Sequence, residues 1–163
     1  SGSKLVIAAA GTRKRELARE LPPRLNLPSQ YGPARLAIPG VLVIQAPSFP
    51  GYDRIEDEIH ELSGHLSTSG LSTAPLVVLT EDADFTSRSL SNFIWVCFTR
   101  SNPSHDVHGV GSFTEHKHWG CHGPLVIDAR LKPHHAPPLV EDPKVHRLVD
   151  TLCAKGGSLH GIL

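Results

Sequence analysis

The sequence predicts a single-domain α/β sandwich, with a mainly parallel sheet flanked by helices on both faces. Short apolar runs of strand length alternate with longer segments in which apolar residues recur at helical spacing. The short runs are continuously apolar, which is typical of strands buried on both faces. Strands that alternate with helices favour βαβ units and therefore a parallel sheet. The length of 163 residues fits one domain, which is assigned to residues 4–163.

Five strands are expected. Four are apolar runs rich in branched side chains, at residues 4–10, 41–46, 76–79 and 124–127. Residues 106–110 are predicted to form a further short strand. The proline-rich residues 26–39 and the glycine- and histidine-rich residues 111–123 are predicted to be loops.

Three longer segments are predicted to be helices with one apolar face each. Residues 52–66 carry acidic residues early, where negative charge is favourable, and have apolar side chains at helical spacing. The second helix follows Thr86 or Ser87 as the N-cap, and its stripe is Leu90, Phe93, Ile94, Cys97 and Phe98. The third is capped by Asp142 and has a proline at its first position; its stripe is Val145, Leu148, Val149 and Leu152. A shorter helix is predicted over residues 12–21.

The composition excludes several classes of protein. Basic and acidic side chains number 16 each, so no net field holds nucleic acid or an anionic membrane. Three scattered cysteines indicate a reducing, cytoplasmic compartment rather than a disulfide framework. No apolar run approaches the roughly 20 residues of a membrane span. The first three residues, Ser-Gly-Ser, and the absence of methionine indicate a tag remnant (1–3) joined to an internal fragment.

Two segments carry a pattern beyond periodicity. In the first, an apolar strand is followed by an acidic turn, then by an Ile-Trp pair, and then by a Thr-Arg pair with a Pro and an Asp downstream. The acidic turn contains Glu81, Asp82 and Asp84, the first pair is Ile94 and Trp95, and the last part contains Thr99, Arg100, Pro103 and Asp106. The second, residues 123–133, is a glycine-led strand that ends in Ile-Asp-Ala-x-x-Lys. A Phe-Pro-Gly-Tyr turn at residues 49–52 is a weaker match. Over residues 41–133, this order and spacing resembles the C-terminal domain of UbiD-family decarboxylases.

The resemblance implies a domain that builds an oligomer interface and closes over an active site. UbiD-family enzymes carry out reversible, non-oxidative decarboxylation of aromatic or unsaturated acids, using prenylated FMN with a divalent metal and a monovalent ion. In that family the cofactor, its metal ligands and the catalytic residues belong to a flavin-binding domain that has no counterpart here. The resemblance therefore implies no catalytic or cofactor-binding residue in this chain. It implies a homo-oligomer, a flavin-binding domain of the same polypeptide as partner, and no activity for this chain alone.

The charged residues of these segments have a structural and a functional interpretation. The acids at residues 81–84 are candidate ligands for a hard cation. In the structural interpretation they lie in a solvated turn at the start of a helix, where negative charge is favourable. Arg100 and Asp106 are candidates for an ion pair that fixes a loop. Asp128 lies at the carboxyl end of a strand, which is the position where ligands bind in α/β sheets. In the structural interpretation it caps the turn that follows.

A cluster of histidines suggests a metal site. His116, His118, Cys121 and His122 place three imidazoles and a thiol, which are zinc ligands, within seven residues. Adjacent side chains point apart in extended backbone, so two or three of these ligands with an outside partner form a better set. The alternative is a loop of neutral histidines at an interface.

The aromatic residues divide into two groups. Trp95, Phe93 and Phe98 are predicted to be core, whereas His118 and Trp119 lie in a loop that suits contact with substrate or a partner chain. Three functions therefore remain open. The first is a self-associating assembly domain of a UbiD-type decarboxylase. The second is a substrate-facing loop at residues 109–122 of such an enzyme, and the third is an independent zinc-binding module.

Overall fold

The computed structural model describes residues 10–12, 15–136 and 142–161. The chain divides into two compact units, Ser1–Pro133 and His134–Leu163, and each is considered by itself. The expected tag remnant and almost all of the strand expected over residues 4–10 lie outside the described residues. The helix expected over residues 12–21 is wrong where it can be seen, because residues 15–21 form no helix.

The first unit is built on a mixed sheet. Its five strands are β1 (Ala34–Ile38), β2 (Val41–Gln45), β3 (Leu76–Thr80), β4 (Val107–Gly109) and β7 (Leu125–Asp128). Between β4 and β7 the chain forms a separate two-stranded hairpin of β5 (Ser112–Glu115) and β6 (His118–Cys121). The strand order is β1-β2-β3-β7-β4, in which β2, β3 and β7 are parallel, whereas β1 and β4 pair antiparallel at the two edges. The α/β class is confirmed. The mainly parallel sheet is wrong, because antiparallel pairs form both edges and the hairpin.

The connections explain the antiparallel edges. Only Pro39 and Gly40 separate β1 from β2, and so short a link can join only antiparallel strands. Gly40 has a positive φ of 79°, which suits glycine. Residues 26–39, predicted to be loop, thus contain β1. Pro33 and Pro39, two of the prolines that suggested a loop, lie just outside this edge strand, where no ladder hydrogen bond is lost.

Helices pack on the central strands through two separate apolar clusters. α1 (Ile55–Thr68) contributes Ile55, Ile59, Leu62 and Leu66 to the first cluster, together with Leu42, Ile44, Val77, Leu79 and Val126. α2 (Ala83–Ser87) and α3 (Leu90–Arg100) belong to the second cluster, with Val41, Val43 and Val78. The N-cap of α3 is Ser89, whose side chain accepts from the Asn92 amide at 3.1 Å. The caps predicted for this helix, Thr86 and Ser87, instead lie within α2.

The second unit contains α4 (Pro143–Cys153). Asp142 caps it as predicted, because its side chain accepts from the amide of Lys144 at 2.8 Å. None of the helices in the described residues has the length and apolar character of a membrane span.

Candidate functional site

The carboxyl ends of β2, β3 and β7 meet at one edge of the sheet, since these three strands are parallel and adjacent. Ligands of α/β proteins bind at such edges. Here the edge holds a group of linked charged side chains, called the carboxyl-edge network below: Glu58, Glu81, Arg100, Asp106, Asp128, Arg130 and Lys132. Asp106, Asp128, Arg130 and Lys132 are almost completely buried.

Arg130 is the centre of this network, and its side chain is 0% exposed. Nε and Nη2 donate to the Asp128 carboxylate at 3.0 and 2.8 Å. Nη1 and Nη2 each donate to the Glu58 carboxylate at 3.0 Å, and Nη1 also donates to the Pro47 carbonyl at 3.1 Å. These contacts use all five guanidinium N–H groups. Arg130 therefore joins the end of β7 to α1 and to the end of β2.

Lys132 forms a second junction. Its Nζ donates to the carbonyls of Asp128 at 2.6 Å and Arg100 at 3.0 Å, and lies 3.3 Å from the Asp106 carboxylate. That carboxylate also accepts from the backbone amide of Asn102 at 2.6 Å. Lys132 therefore ties the segment after α3 to the end of β7.

Phe49 covers both cations. Its ring centroid lies 5.6 Å from the Arg130 guanidinium carbon and 5.4 Å from the Lys132 Nζ. The ring meets Tyr52 edge-on at 4.9 Å between centroids. An aromatic face over desolvated cations stabilises their charge and keeps water away. The turn at residues 49–52 thus closes the network.

The acidic turn after β3 has internal partners rather than a shared metal. Glu81 accepts from the Leu131 amide at 2.6 Å and from Arg100 at 3.2 Å. Asp82 caps α2 by accepting from the Phe85 amide at 2.8 Å, and Asp84 pairs with Arg35 at 2.7 Å. The ion pair predicted between Arg100 and Asp106 is wrong, because Arg100 pairs with Glu81 and Asp106 pairs with Lys132.

The network sets the charge state of its members. Burial works against ionisation of Asp128, but hydrogen bonds and charge from Arg130 and Lys132 hold its pKa below the ordinary value. Burial likewise works against the charge of Arg130, yet its bonds to Asp128 and Glu58 raise its pKa. Burial and a 2.8 Å hydrogen bond to Glu58 raise the pKa of Tyr31. Asp128 and Arg130 therefore form a fixed ion pair at neutral pH.

The histidine-rich segment, predicted to be a loop, is the β5–β6 hairpin. His116 and Lys117 form its turn with positive φ angles of 49° and 66°. Strand alternation places His118 and Cys121 on opposite faces, and His122 stacks on Phe113 at 4.8 Å. Among the described residues, no three His, Cys, Asp or Glu side chains are grouped to hold a metal. The geometry thus gives the zinc hypothesis no support.

Two glycines allow close packing at the hairpin, one within it and one in β4. A Cβ on Gly109 would meet the Trp119 ring at 2.9 Å, and one on Gly120 would meet the Phe113 ring at 2.7 Å. The Trp119 side chain is nevertheless 52% exposed and borders a cavity of about 620 Å³ beside α1. Trp119 is therefore half-exposed, and its contact with substrate or a partner chain stays a prediction.

Sequence reasoning missed Glu58 and Arg130 and gave Lys132 no role beyond its motif. One signal was available: Asp128, Arg130 and Lys132 alternate in charge at every second position after an apolar strand. Glu58, the second carboxylate that binds Arg130, lies 72 residues away in the sequence, so no local sequence pattern connects the two residues. The core placement of Trp95 and Phe98 is also wrong, since they are 52% and 54% exposed.

Comparison with known proteins finds relatives in sequence. No family model matches the chain. An uncharacterised protein of Chlamydia trachomatis is 31% identical over 120 residues, which cover 66% of this chain and 21% of that protein. A 4-hydroxybenzoate decarboxylase subunit of Chlamydia pneumoniae is 32% identical over 84 residues, covering 48% of this chain and 14% of that protein. The chain is similar in sequence to a decarboxylase subunit.

Both relatives extend far beyond the matched segment, since the chain spans about a fifth of their length or less. Among solved structures, a vanillic acid decarboxylase of Sedimentibacter hydroxybenzoicus in its open form matches with a TM-score of 0.44 and 16% identity. That match covers 70% of this chain and 26% of the other.

His108 and Asp128, whose pKa values are both lowered, predict how stability depends on pH below neutrality. Burial lowers the pKa of His108 below its ordinary 6.5, although Asp128 and Asp106 partly oppose this. The unfolded chain therefore binds more protons, and stability is lost as the pH falls below about 6.5. The depressed pKa of Asp128 adds a second loss as the pH falls below about 4.

Urea unfolding between pH 7.5 and 5 checks the first loss. His108→Gln is expected to flatten the decline, whereas the exposed His118→Gln is expected to leave it unchanged. Equal slopes for the unchanged protein and His108→Gln would contradict the assignment.

Proposed function

We propose that this chain is a non-catalytic assembly and active-site-closing domain of a UbiD-type decarboxylase acting on an aromatic acid. Its sequence is similar to a 4-hydroxybenzoate decarboxylase subunit over 84 residues. The chemistry of such an enzyme would reside in a flavin-binding domain of the same polypeptide. This chain would complete the fold around that domain and join copies of the enzyme.

One observation carries the proposal: the acids of the family-like motifs are used inside the chain. Glu81 and Asp106 each bind a cation and a backbone amide, and Asp128 binds Arg130 and Lys132. A general acid or base must reach a substrate proton. These carboxylates face internal partners at the sheet edge, which favours a structural role.

The prenylated FMN that the resemblance implies is expected to be held by the flavin-binding domain rather than by the carboxyl-edge network. All five N–H groups of Arg130 donate hydrogen bonds to acceptors within the chain, so none is available to bind a flavin phosphate. In the described part of the chain, no group of three acids, histidines or cysteines is available for a divalent metal. No step of decarboxylation is therefore assigned to this chain.

Segment replacement in the Chlamydia pneumoniae protein tests the proposal. Deleting the segment that matches this chain is expected to abolish 4-hydroxybenzoate decarboxylation and to change the assembly size. Replacing it with the corresponding segment of this chain is expected to restore both properties. Undiminished turnover per folded molecule after deletion would overturn the proposal.

A second role, closing over substrate, is favoured by the β5–β6 hairpin. Trp119 is 52% exposed, and Phe113 on the opposite strand is 40% exposed. In the replacement protein, Trp119→Ala or His118→Ala is expected to raise KM more than it lowers kcat, because a closing residue binds substrate without reacting. Lys117→Ala, at the hairpin turn, is the control. Unchanged KM in both hairpin variants would remove this role.

A further inference from the structure

A cavity of about 620 Å³ opens between α1 and β4 within the first unit, and it is called the α1–β4 cavity below. Its volume is in the range of small-molecule sites. In β4, His108 pairs with Val126, which belongs to the apolar cluster beneath α1. Paired residues lie on the same face of a sheet, so His108 faces α1. None of the seven residues of the carboxyl-edge network lines this cavity, so the two are separate places in the fold.

The lining of the α1–β4 cavity favours a positive ligand. Glu56 is exposed on the α1 wall, and no lysine or arginine is among the described residues that line the cavity. The other ionisable lining residues are His60 and His108, and burial lowers the pKa of His108, which keeps its imidazole neutral at neutral pH. An anion would meet a carboxylate with no lysine or arginine to offset it, whereas a cation would be attracted to that carboxylate.

His108 brings an unused hydrogen-bonding atom to this cavity. Its Nε2 is buried and has no hydrogen-bond partner among the described residues, while its ring borders the cavity. A buried polar atom without a partner costs free energy, which a ligand donor would offset. The ring torsion of a histidine is broad, so a small rotation presents Nε2 to the cavity. Because a neutral imidazole accepts a hydrogen bond at one nitrogen, the site favours a ligand that donates N–H groups.

Trp119 adds an aromatic ring to the cavity wall. A Cβ on Gly109 would meet this ring at 2.9 Å, so the glycine allows the ring to pack directly against β4. The contact restricts the ring, although the side chain remains 52% exposed. Among the aromatic side chains, tryptophan binds a cation on its face most strongly. A restricted, half-exposed tryptophan beside a carboxylate therefore suits a planar cation.

We propose that the α1–β4 cavity binds a small planar cation of the amidinium or guanidinium class, which stacks on Trp119 and donates N–H groups to Glu56 and His108. Such a cation is flat, carries several N–H donors and has no acceptor. It therefore matches a cavity that offers an aromatic ring, a carboxylate and an unpaired imidazole nitrogen. The inference goes beyond the assembly role, because it gives this chain a ligand of its own that is not an aromatic acid.

Benzamidinium, an aromatic amidinium, is the probe that tests this site. In Trp95→Phe, Trp119 is the only tryptophan of the chain, and its emission is expected to change saturably at roughly millimolar benzamidinium. Benzoate has nearly the same shape and the opposite charge, and it is expected to cause no change. Calorimetry on the unchanged protein measures the same affinity without a substitution. The inference is overturned if benzamidinium shows no saturable binding by either method, or if benzoate binds equally well.

Two further measurements locate the bound probe. Glu56→Gln is expected to weaken benzamidinium binding about 10-fold, because a charge-assisted hydrogen bond is lost. Glu61→Gln, exposed on the same helix but outside the cavity lining, is the matched control and is expected to leave the affinity unchanged. The ring-nitrogen NMR signal of His108 is expected to move on binding, whereas that of His65, whose Nδ1 is also buried and unpaired, is expected to stay. Binding that Glu56→Gln leaves intact, or that His108 does not sense, would contradict the site.

The proposed function succeeds or fails separately. Absence of benzamidinium binding would leave the segment-deletion result standing, whereas decarboxylation by the deleted enzyme would remove the assembly role even if the cavity binds the cation. Contact of Trp119 with an aromatic acid is measured by KM in the replacement protein, so the two roles of this residue have different readouts.

Discussion

Replacement of Arg130 by methionine is expected to lower the free energy of unfolding by about 3–5 kcal/mol. The substitution keeps most of the side-chain volume but removes the charge between Asp128 and Glu58, which are 0% and 13% exposed. Asp128 would keep its desolvation cost with only the Lys132 ammonium group, 3.6 Å away, left as a cation to offset it. Urea unfolding at pH 7 measures the difference.

The exposed pair of Arg35 and Asp84 provides the matched control. Its atoms are 2.7 Å apart, but its side chains are 44% and 61% exposed. Arg35→Met is therefore expected to cost no more than about 1 kcal/mol. A similar small loss for Arg130→Met would show that the network does not hold the sheet edge together.

Replacement of Lys132 by methionine is expected to cost at least about 3 kcal/mol, for a related reason. Asp106 would keep its buried charge but lose the ammonium group at 3.3 Å, and the carbonyls of Arg100 and Asp128 would lose a donor. The segment at residues 101–106 would also lose its tie to β7. Faster hydrogen exchange in that segment, together with the stability loss, is the expected signature.

Lys155→Met, at an exposed position, controls for the loss of a positive charge. It is expected to change neither stability nor exchange. If Lys132→Met lowers stability while residues 101–106 exchange as before, the junction assigned to Lys132 is wrong.

The buried strands were predictable because burial dictates their composition. β2, β3 and β7 read as continuous apolar runs, and their observed bounds lie within one residue of those expected from the sequence. α1 and α4 likewise follow from helical spacing and, for α4, from the Asp142 cap. In the three strands and in α1 the local pattern and the tertiary packing agree, whereas no residue of α4 is buried.

The edges of the fold were not predictable in the same way. β1 lies between two prolines, and the β5–β6 hairpin turns through His116 and Lys117 rather than through glycine or asparagine. β5 is exposed along its whole length, so no apolar alternation marks it. These strands depend on their pairing partners, which a local pattern does not reveal.

The face of α3 shows a further limit of periodicity. Its apolar residues cover more than one side of the helix, and only contact with the sheet decides that Phe93, Val96 and Cys97 are buried. Prediction of the charged site from the sequence was limited in the same way. The motif located Glu81, Asp106 and Asp128, but their partners Arg100, Arg130 and Lys132 could be paired with them only in three dimensions.

The most direct test is whether the charged sheet edge performs any chemistry by itself. The purified chain is incubated with 4-hydroxybenzoate, prenylated FMN and a divalent metal, and released carbon dioxide and retained flavin are measured. The account predicts no carbon dioxide above the protein-free control and no flavin retained after gel filtration. Turnover that Asp128→Asn abolishes and Asp84→Asn spares would contradict it.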